Sequence, residues 1–573
     1  MGVPVWTLYN ARFMTLGTYL LDRGWLTPDD LARAELDAAV TGERLDVSLA
    51  RTGVVSRERI LEALAEQFHM PVVDLTQTPV DSAVLSLVPA KVVFRRRCVP
   101  ILKQDSSLTI ATADPYDLSS LDELRILTGL SIVPVLADGD ALSDFIRANY
   151  GVGGDTLDAM SAGLAEPKVG RGGEADEAEA AQEASVVKLV NDILTEAVGE
   201  RATDVHIEPY EHELNVRYRI DGVLQRANVP ASIHRFGAAV ISRVKIMASL
   251  NIAEKRKPQD GRISFRSRPV GRPPEEFDLR VSTIPMLFGE GVVLRVLSKT
   301  AVLMSLDQLG MPGAVETPWR ACISRPHGIL LVTGPTGSGK STTLYASLNS
   351  IVSDEIKVIT VEDPVEYHVK GVNQIQVNHK VGLDFAAGLR SILRHDPDVV
   401  MIGEIRDKET AETAIQASLT GHLVLSTLHT NDAAGASTRL LDMGVEPFLV
   451  ASSVEAIMAQ RLVRRVCKEC AAPYEPTPGE IPTDLSLSGV RSLVHGTGCR
   501  ACRSTGYRGR VGVYELLTIS DHARELIMRR ASAREIVKNA LAEGNLQSLR
   551  QDGYQKALAG LTTLHEVASA LAG

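Results

Sequence analysis

The stretch Gly334-Pro335-Thr336-Gly337-Ser338-Gly339-Lys340-Ser341 constrains the fold of this 573-residue chain more than any other feature. It matches the phosphate-loop spacing G-x-x-x-x-G-K-[ST]. Ile329-Leu330-Leu331-Val332-Thr333 precedes it and reads as a buried strand. Ser341 to Leu348 contains neither Pro nor Gly and reads as a helix. Glycines at this spacing let the backbone wrap a phosphate, with several N–H groups pointing inward. Between a strand and a helix, Gly334 to Ser341 with Thr342 is expected to cradle the phosphates of ATP. Lys340 would neutralise the β and γ phosphates, and Ser341 would hold Mg2+.

Three more apolar runs end in polar residues. Lys357-Val358-Ile359-Thr360-Val361 ends in Glu362-Asp363, and Val399-Val400-Met401-Ile402 ends in Gly403-Glu404. Leu423-Val424-Leu425-Ser426-Thr427 runs into Leu428-His429. In an open parallel sheet, ligands sit beyond the carboxyl ends of the strands. All three endings should therefore share an edge with the phosphate loop. One of Glu362 and Glu404 is expected to position or deprotonate a water, and the other to order the magnesium shell. The spacing leaves open which does which. His429 reads as a γ-phosphate sensor or a hydrogen-bonded core histidine, and His422 is equally open.

Six cysteines fall into two groups. Cys98 and Cys322 stand alone and read as buried thiols. Cys467-x-x-Cys470 and Cys499-x-x-Cys502 are paired knuckles, and two thiolates from each can meet one Zn2+ tetrahedrally. Four thiolates leave no open position, so such a metal would be structural. The segment between them, Pro473–Gly498, is expected to be an extended loop. Basic residues flank the knuckles: Arg461, Arg464, Arg465 and Lys468, then Arg500, Arg503, Arg508 and Arg510. They read equally as a solvated face or as a surface for anionic lipid or an acidic partner.

The net charge of −10 argues against a nucleic-acid partner, which would need clustered Lys and Arg. No apolar run is long enough to span a bilayer, and Met1 to Asn10 lacks the pattern of a signal peptide. A cytoplasmic location is expected, with recruitment to a membrane by partners.

Composition and patterning divide the chain further. Residues 1–71 hold a helical repeat: Leu16-Gly17-Thr18-Tyr19-Leu20 recurs as Leu45-Asp46-Val47-Ser48-Leu49, Gly24 as Gly53, Leu26 as Val55 and Leu31 as Ile60. Residues 72–150 read as a compact α/β unit, and 151–184 as a flexible linker rich in Gly, Ala and Glu. Residues 185–300 read as a second α/β domain. The core follows at 301–465, the tetracysteine module at 466–510 and a helical region at 511–573.

Taken together, Gly334–Ser341, Val361-Glu362-Asp363-Pro364-Val365-Glu366-Tyr367, Arg394-His395-Asp396-Pro397-Asp398 with Gly403-Glu404-Ile405-Arg406-Asp407, and Leu419-Thr420-Gly421-His422 through Asp432 resemble the secretion ATPases of the type II and type IV pilus superfamily. They correspond to that family's Walker A, Asp box, Walker B and His box. The resemblance reaches upstream to Arg201–Pro209 and Arg217–Gly222, and downstream to about Leu564. It implies a multidomain α/β protein with a RecA-like P-loop ATPase core. A PAS-like α/β domain at 185–300 would close over the nucleotide, beside an N-terminal docking region and a zinc module. It also implies ATP hydrolysis coupled to protein secretion by a homo-hexamer, cytoplasmic and peripheral to the inner membrane. By motif, Arg280, Arg295, Arg390 and Arg394 are the phosphate-contacting arginines.

The cysteine module implies an assembly motor rather than a retraction motor. Met443–Leu449 and Gly506–Arg510 resemble the type II secretion branch more than the pilus-assembly branch. The N-terminal repeat is similar to a module that binds cyclic di-GMP in some relatives through Arg-Leu-Gly at each repeat start. Here Thr15-Leu16-Gly17 and Arg44-Leu45-Asp46 each depart by one residue. Docking to inner-membrane platform proteins is the implied role of residues 1–150. A pilus-extension ATPase and a nucleotide-gated scaffold without turnover are the alternatives.

Overall fold

Thr15 and Thr27 start the first two helices by the same chemistry. Each side-chain oxygen accepts the N–H three residues on, capping Leu16–Asp22 and Pro28–Thr41. In the computed structural model, residues 15–76, 78, 80–163, 184–267, 275–298, 304–482, 485 and 492–572 are described. The chain splits into two compact units, Met1–Leu297 and Ser298–Gly573.

In the first unit the repeat folds as two helix pairs, completed by Leu45–Thr52 and Arg57–Phe68. Gly24 and Gly53 both take positive φ, near 67° and 70°, which is why the repeat keeps glycine there. The equivalent Leu26 and Val55 are both buried. Arg44 does not project freely: it meets the Asp46 and Asp114 carboxylates at 2.8 Å.

Next come β1 (Cys98–Gln104), β2 (Ser107–Thr112) and β3 (Ser131–Leu136), in the order β1-β2-β3. The helix Leu118–Thr128 joins β2 to β3, which run parallel. Cys98 is buried, and burial raises its thiol to about 12.

The expected linker is corrected in part. Gly154–Gly163 is a helix packed against Ala90–Arg96 and Ala184–Gly199. Val152 and Leu157 enter the core, so this stretch buries apolar area that a free linker would not. The rest of the linker expectation, 164–183, lies outside the described residues.

The remainder of this unit is a six-stranded sheet ordered β6-β5-β4-β9-β8-β7. Its strands are β4 (Asp204–Pro209), β5 (Leu214–Ile220), β6 (Val223–Arg226), β7 (Gln259–Ser267), β8 (Glu275–Met286) and β9 (Gly289–Ser298). Alternation is clean in β5, where Leu214, Val216, Tyr218 and Ile220 point into the core. Helices Ala184–Gly199 and Gly237–Met247 supply the facing apolar side chains.

The second unit is built on eight strands: β10 (Gly328–Thr333), β11 (Val358–Glu362), β12 (Val372–Gln376), β13 (Val399–Ile402), β14 (Leu423–Leu428), β15 (Val454–Val466), β18 (Tyr507–Thr518) and β19 (Leu546–Gln547). Their order is β12-β11-β13-β14-β10-β15-β18-β19. Pairing is parallel from β12 to β15 and antiparallel from β15 to β19. β10, β11, β13 and β14 are buried at every position, as a parallel sheet covered on both faces requires.

β18 corrects the expectation that residues from 511 on are helical. Residues 511–518 are strand, because β18 returns alongside β15 from Val466 back to Ala456. The tetracysteine module is thus an insertion at the tip of the β15–β18 ladder. Its expected extended loop contains two short paired strands, β16 (Ala471–Tyr474) and β17 (Leu493–Gly496).

Candidate nucleotide site and tetracysteine centre

β10 ends at Thr333 and the helix Lys340–Ile351 begins after six intervening residues. Between them Gly334, Gly337 and Gly339 take φ of 150°, 79° and 91°. A β-carbon on Gly334 would fall 2.5 Å from the Gln460 carbonyl oxygen, so at this position glycine is required by space as well as by angle. Thr430 of the loop after β14 donates its N–H to Thr333 Oγ1 at 2.9 Å, and the Thr333 hydroxyl reaches the Leu428 carbonyl at 3.0 Å. These bonds tie the residue just before the loop to the neighbouring strand and the segment that follows it.

Lys340 is only 9% exposed. Its ammonium donates to the Gly334 and Pro335 carbonyls at 2.9 and 3.1 Å. Burial holds it below its ordinary pKa; the Glu404 carboxylate opposes that shift and Arg461 adds to it. The lysine is thus held against its own loop, near a carboxylate. Ser341 and Thr342 follow in the first helical turn, with Ser341 exposed.

The two candidate carboxylates have different surroundings. Glu362 closes β11 and is 4% exposed. Tyr345 donates its hydroxyl to one oxygen, while Thr360 and Gln374 donate to the other at 2.5 and 3.1 Å. Burial and the neighbouring Glu362 push the Tyr345 phenol well above its usual range. Glu404 follows β13 and meets Arg406 on one oxygen and His429 Nε2, at 3.1 Å, on the other. His429 is half exposed at the carboxyl end of β14.

His422 precedes β14, at the sheet edge opposite the loop. Its Nδ1 lies 2.8 Å from the Ala417 carbonyl and 3.1 Å from Thr420 Oγ1, so it closes the end of the helix Lys408–Leu419.

The four arginines are not gathered at the loop by contacts within their own units. Arg390, on the helix Phe385–Ile392, pairs with Glu409. Arg394 donates to the Arg390 carbonyl at 2.8 Å and leads towards the amino end of β13. In the first unit Arg280 stands opposite Arg262 in the β7–β8 pair. Arg295 donates to Asp204 at 3.2 Å, and Asp204 stands opposite both Arg219 and Arg295 in the sheet register. The acidic residues of Asp204–Pro209 therefore hold arginines: Glu208 also accepts from Arg217 at 2.5 Å.

Sequence reasoning missed Tyr345 and Gln374, which hold Glu362, and Gln460 and Arg461 of β15. The available signal was Gln460-Arg461 inside the otherwise apolar stretch 456–463. Arg461, expected on the flank of the cysteines, is instead 7% exposed and donates to the Asn431 carbonyl at 3.0 Å. Arg464 is also drawn in, meeting Glu566 at 2.9 Å and stacking on Tyr507. Both leave the basic face because β15 is a core strand up to Val466. Lys468, Arg508 and Arg510 remain exposed.

The four cysteine sulfurs lie within 4.8 Å of one another. The pairs Cys467–Cys499, Cys470–Cys502 and Cys499–Cys502 are each 3.8 Å apart. Four thiolates about 2.3 Å from a tetrahedral zinc would be separated by about 3.8 Å, whereas a disulfide needs about 2.05 Å. The residues therefore fit one metal ion. Burial opposes the Cys502 thiolate, yet the Cys499 and Gly506 N–H groups aimed at its sulfur bring it down to about 7. A β-carbon on Gly496 would fall 2.0 Å from the Gly506 carbonyl oxygen, so these two backbones can meet behind the knuckles only as glycine.

Residues 179–569 match the family described as type II/IV secretion system protein, and residues 68–156 match the MshEN domain. The chain belongs to the type II/IV secretion system protein family. As a member of that family it is an ATPase. The type II secretion system protein E of Xanthomonas campestris is 44% identical over 560 residues, covering 96% of this chain and 96% of that one. The type IV pilus assembly ATPase PilB of Myxococcus xanthus is 41% identical over 560 residues, covering 96% and 98%. The ATPase DotB of Yersinia pseudotuberculosis shares the fold, with a TM-score of 0.50 at 21% identity over 67% of this chain and 92% of that one. Among the described residues, no helix of this secretion-family ATPase is long and apolar enough to cross a membrane.

Proposed function

We propose that this chain is the motor of a type II protein secretion system, coupling ATP hydrolysis to pseudopilus assembly and the export of folded proteins across the outer membrane. The observation that carries the reading is its 44% identity, over almost the whole of both chains, to a type II secretion system protein E.

The residues of the second unit suit the chemistry. The loop N–H groups cradle the phosphates, and Lys340 exchanges the Gly334 and Pro335 carbonyls for phosphate oxygens. Glu404, with one oxygen on His429 and the other on Arg406, is the carboxylate that orients and deprotonates the attacking water. Glu362 has both oxygens engaged by three donors and serves as a fixed negative charge beside the site. Magnesium bound with the nucleotide supplies charge neutralisation on the phosphates, and the Ser341 hydroxyl is the group to hold it.

Arg390 and Arg394, without contacts to their own loop, suit delivery to a neighbouring subunit's nucleotide. Arg280 and Arg295 suit closure of the 185–300 domain. An arginine supplied in this way is worth roughly 10³–10⁵ in rate. The assembly is a homo-hexamer on the cytoplasmic face of the inner membrane. Residues 1–150 dock on platform proteins, and the four cysteines hold a structural zinc. Anionic lipid meets the exposed Lys468, Arg508 and Arg510.

The 41% identity to a type IV pilus assembly ATPase keeps pilus extension as the second reading. Replacing Lys340 with Ala in the native host separates them. Loss of extracellular enzymes with pili intact is the expected outcome, and loss of pili with normal secretion moves the chain to pilus assembly.

A further inference from the structure

Gln460 lies on β15, beside the residue that starts the phosphate loop. The register pairs Thr333 with Ala459, so Gln460 stands next to Gly334, one step beyond the end of β10. It is 1% exposed. Its main-chain oxygen lies under Gly334, where an added β-carbon would come within 2.5 Å of it. Its amide nitrogen lies under Gly339, 2.7 Å from where a β-carbon would be. Its amide oxygen accepts the Thr343 hydroxyl at 2.7 Å, and Thr343 belongs to the first turn of the phosphate-loop helix. One residue thus touches the first glycine through its main chain, and the last glycine and the helix through its side chain.

A hydroxyl that donates to the amide oxygen leaves the two N–H bonds on the side facing Gly339. That nitrogen faces the loop at Gly339. Ser338 Oγ, 2.6 Å from the β-carbon position of Gly334, is buried without a partner. Buried polar groups are nearly always bonded, so this orphan beneath the loop calls for an explanation. The explanation lies in Lys340, which now serves the Gly334 and Pro335 carbonyls. When its ammonium turns to a phosphate, those carbonyls lose their donor, and the loop needs another within reach.

We propose that Gln460 is a positioning residue for the nucleotide site: it clamps the helix through Thr343 and supplies N–H groups to the phosphate loop when Lys340 turns to the nucleotide. This rests on the nucleotide reading of the loop. Gln460 itself does not touch the reacting atoms. Its effect is on how well the loop keeps its phosphate-binding shape, so it acts on nucleotide affinity more than on the chemical step.

The test uses the full-length protein and a fluorescent ATP analogue with Mg2+. Dissociation constants, KM, kcat and the melting temperature of the nucleotide-free protein are measured together. Gln460→Leu removes both functions, and Thr343→Val removes the clamp. Gln460→Glu keeps volume and the bond from Thr343 but replaces the N–H pair with an acceptor. The expected result for both Gln460 variants is a dissociation constant and KM raised roughly tenfold or more, with kcat changed less than about threefold. The nucleotide-free melting temperature should stay near wild type for Gln460→Glu, and the Gln460→Leu, Thr343→Val double variant should lose no more than the worse single one. Where Gln460→Leu fails to fold, Gln460→Glu decides. An affinity within about twofold of wild type for Gln460→Glu overturns the proposal, as does strict additivity in the double variant. Lys340→Ala is the control. If wild type binds the analogue no better than Lys340→Ala, the nucleotide reading itself falls; if it binds well and the Gln460 variants match it, only this inference falls.

Discussion

The nucleotide edge and the tetracysteine centre stand at successive points along β15, yet they are held together by different physics. The edge is assembled from the protein's own donors and acceptors. Glu362 has three donors, Lys340 has two carbonyls, and Thr333 is bonded across to the next strand. It lies over a sheet buried on both faces. The cysteine centre has two four-residue strands and a small apolar cluster of Leu493, Tyr554, Ala557, Leu564 and Val567. Four sulfurs converge there, which demands a counter-charge. The first site can therefore fold before its ligand arrives and exchange partners afterwards. The second, with four sulfurs spaced for one ion, would take much of its folding free energy from a bound metal.

The largest effect expected from this contrast is at the cysteines. Stripping the metal, or making Cys467→Ser with Cys502→Ser, should remove about 10 kcal/mol or more of local folding energy. Hydrogen exchange should rise steeply over 467–506, while β10, β13 and β14 stay protected. Equal deprotection of the parallel strands would show that the two sites fold as one.

Next is Glu404→Gln. ATP turnover should fall by roughly 10²–10⁴-fold while nucleotide still binds. Glu362→Gln should cost binding or stability as well as rate, because it leaves donors from Tyr345 and Thr360 competing for a neutral amide. Phosphate release and nucleotide binding, measured on both variants, separate the two carboxylates; identical profiles would erase the distinction drawn between them.

Tyr345→Phe is smaller. It removes one of three donors to a buried carboxylate and should lower stability by about 1–3 kcal/mol, read by denaturant unfolding. No change would mean that Thr360 and Gln374 suffice.

The smallest effect has the opposite sign. Burial lowers the Lys340 pKa, so the folded state holds this proton less tightly than the unfolded chain. Lys340 therefore subtracts stability at neutral pH, and the deficit closes as pH rises from the lowered folded pKa through 10.5. Lys340→Met should melt slightly higher than wild type without nucleotide at pH 7, and the gap should shrink at alkaline pH. A lower melting temperature at pH 7 would show that the two carbonyl bonds outweigh burial.

How far these sites could be read from sequence depended on the range of the interactions. The phosphate loop, the strands Val399–Ile402 and Leu423–Leu428 and the cysteine knuckles are local patterns, and they stand where the spacing put them. The helical repeat was readable for the same reason, since capping and left-handed glycine turns act within a few residues. Residues 151–163 misled because Gly-rich sequence does not show that Val152 and Leu157 find a core. Residues 511–518 misled because a strand's partner can lie fifty residues away.

The sequence by itself determined that this chain carries a phosphate loop on a parallel sheet, two carboxylates at strand ends and a four-thiolate centre. Each of these depends on residue type and short spacing. Only the tertiary structure decided that Glu362 is fully bonded while Glu404 meets His429 and Arg406, that His422 closes a helix, and that Arg461 belongs to the core rather than to a basic face. It also placed Gln460 under the loop. Those outcomes rest on sheet order, because setting β15 beside β10 brings polar residues from far along the chain against glycines that leave room for nothing else.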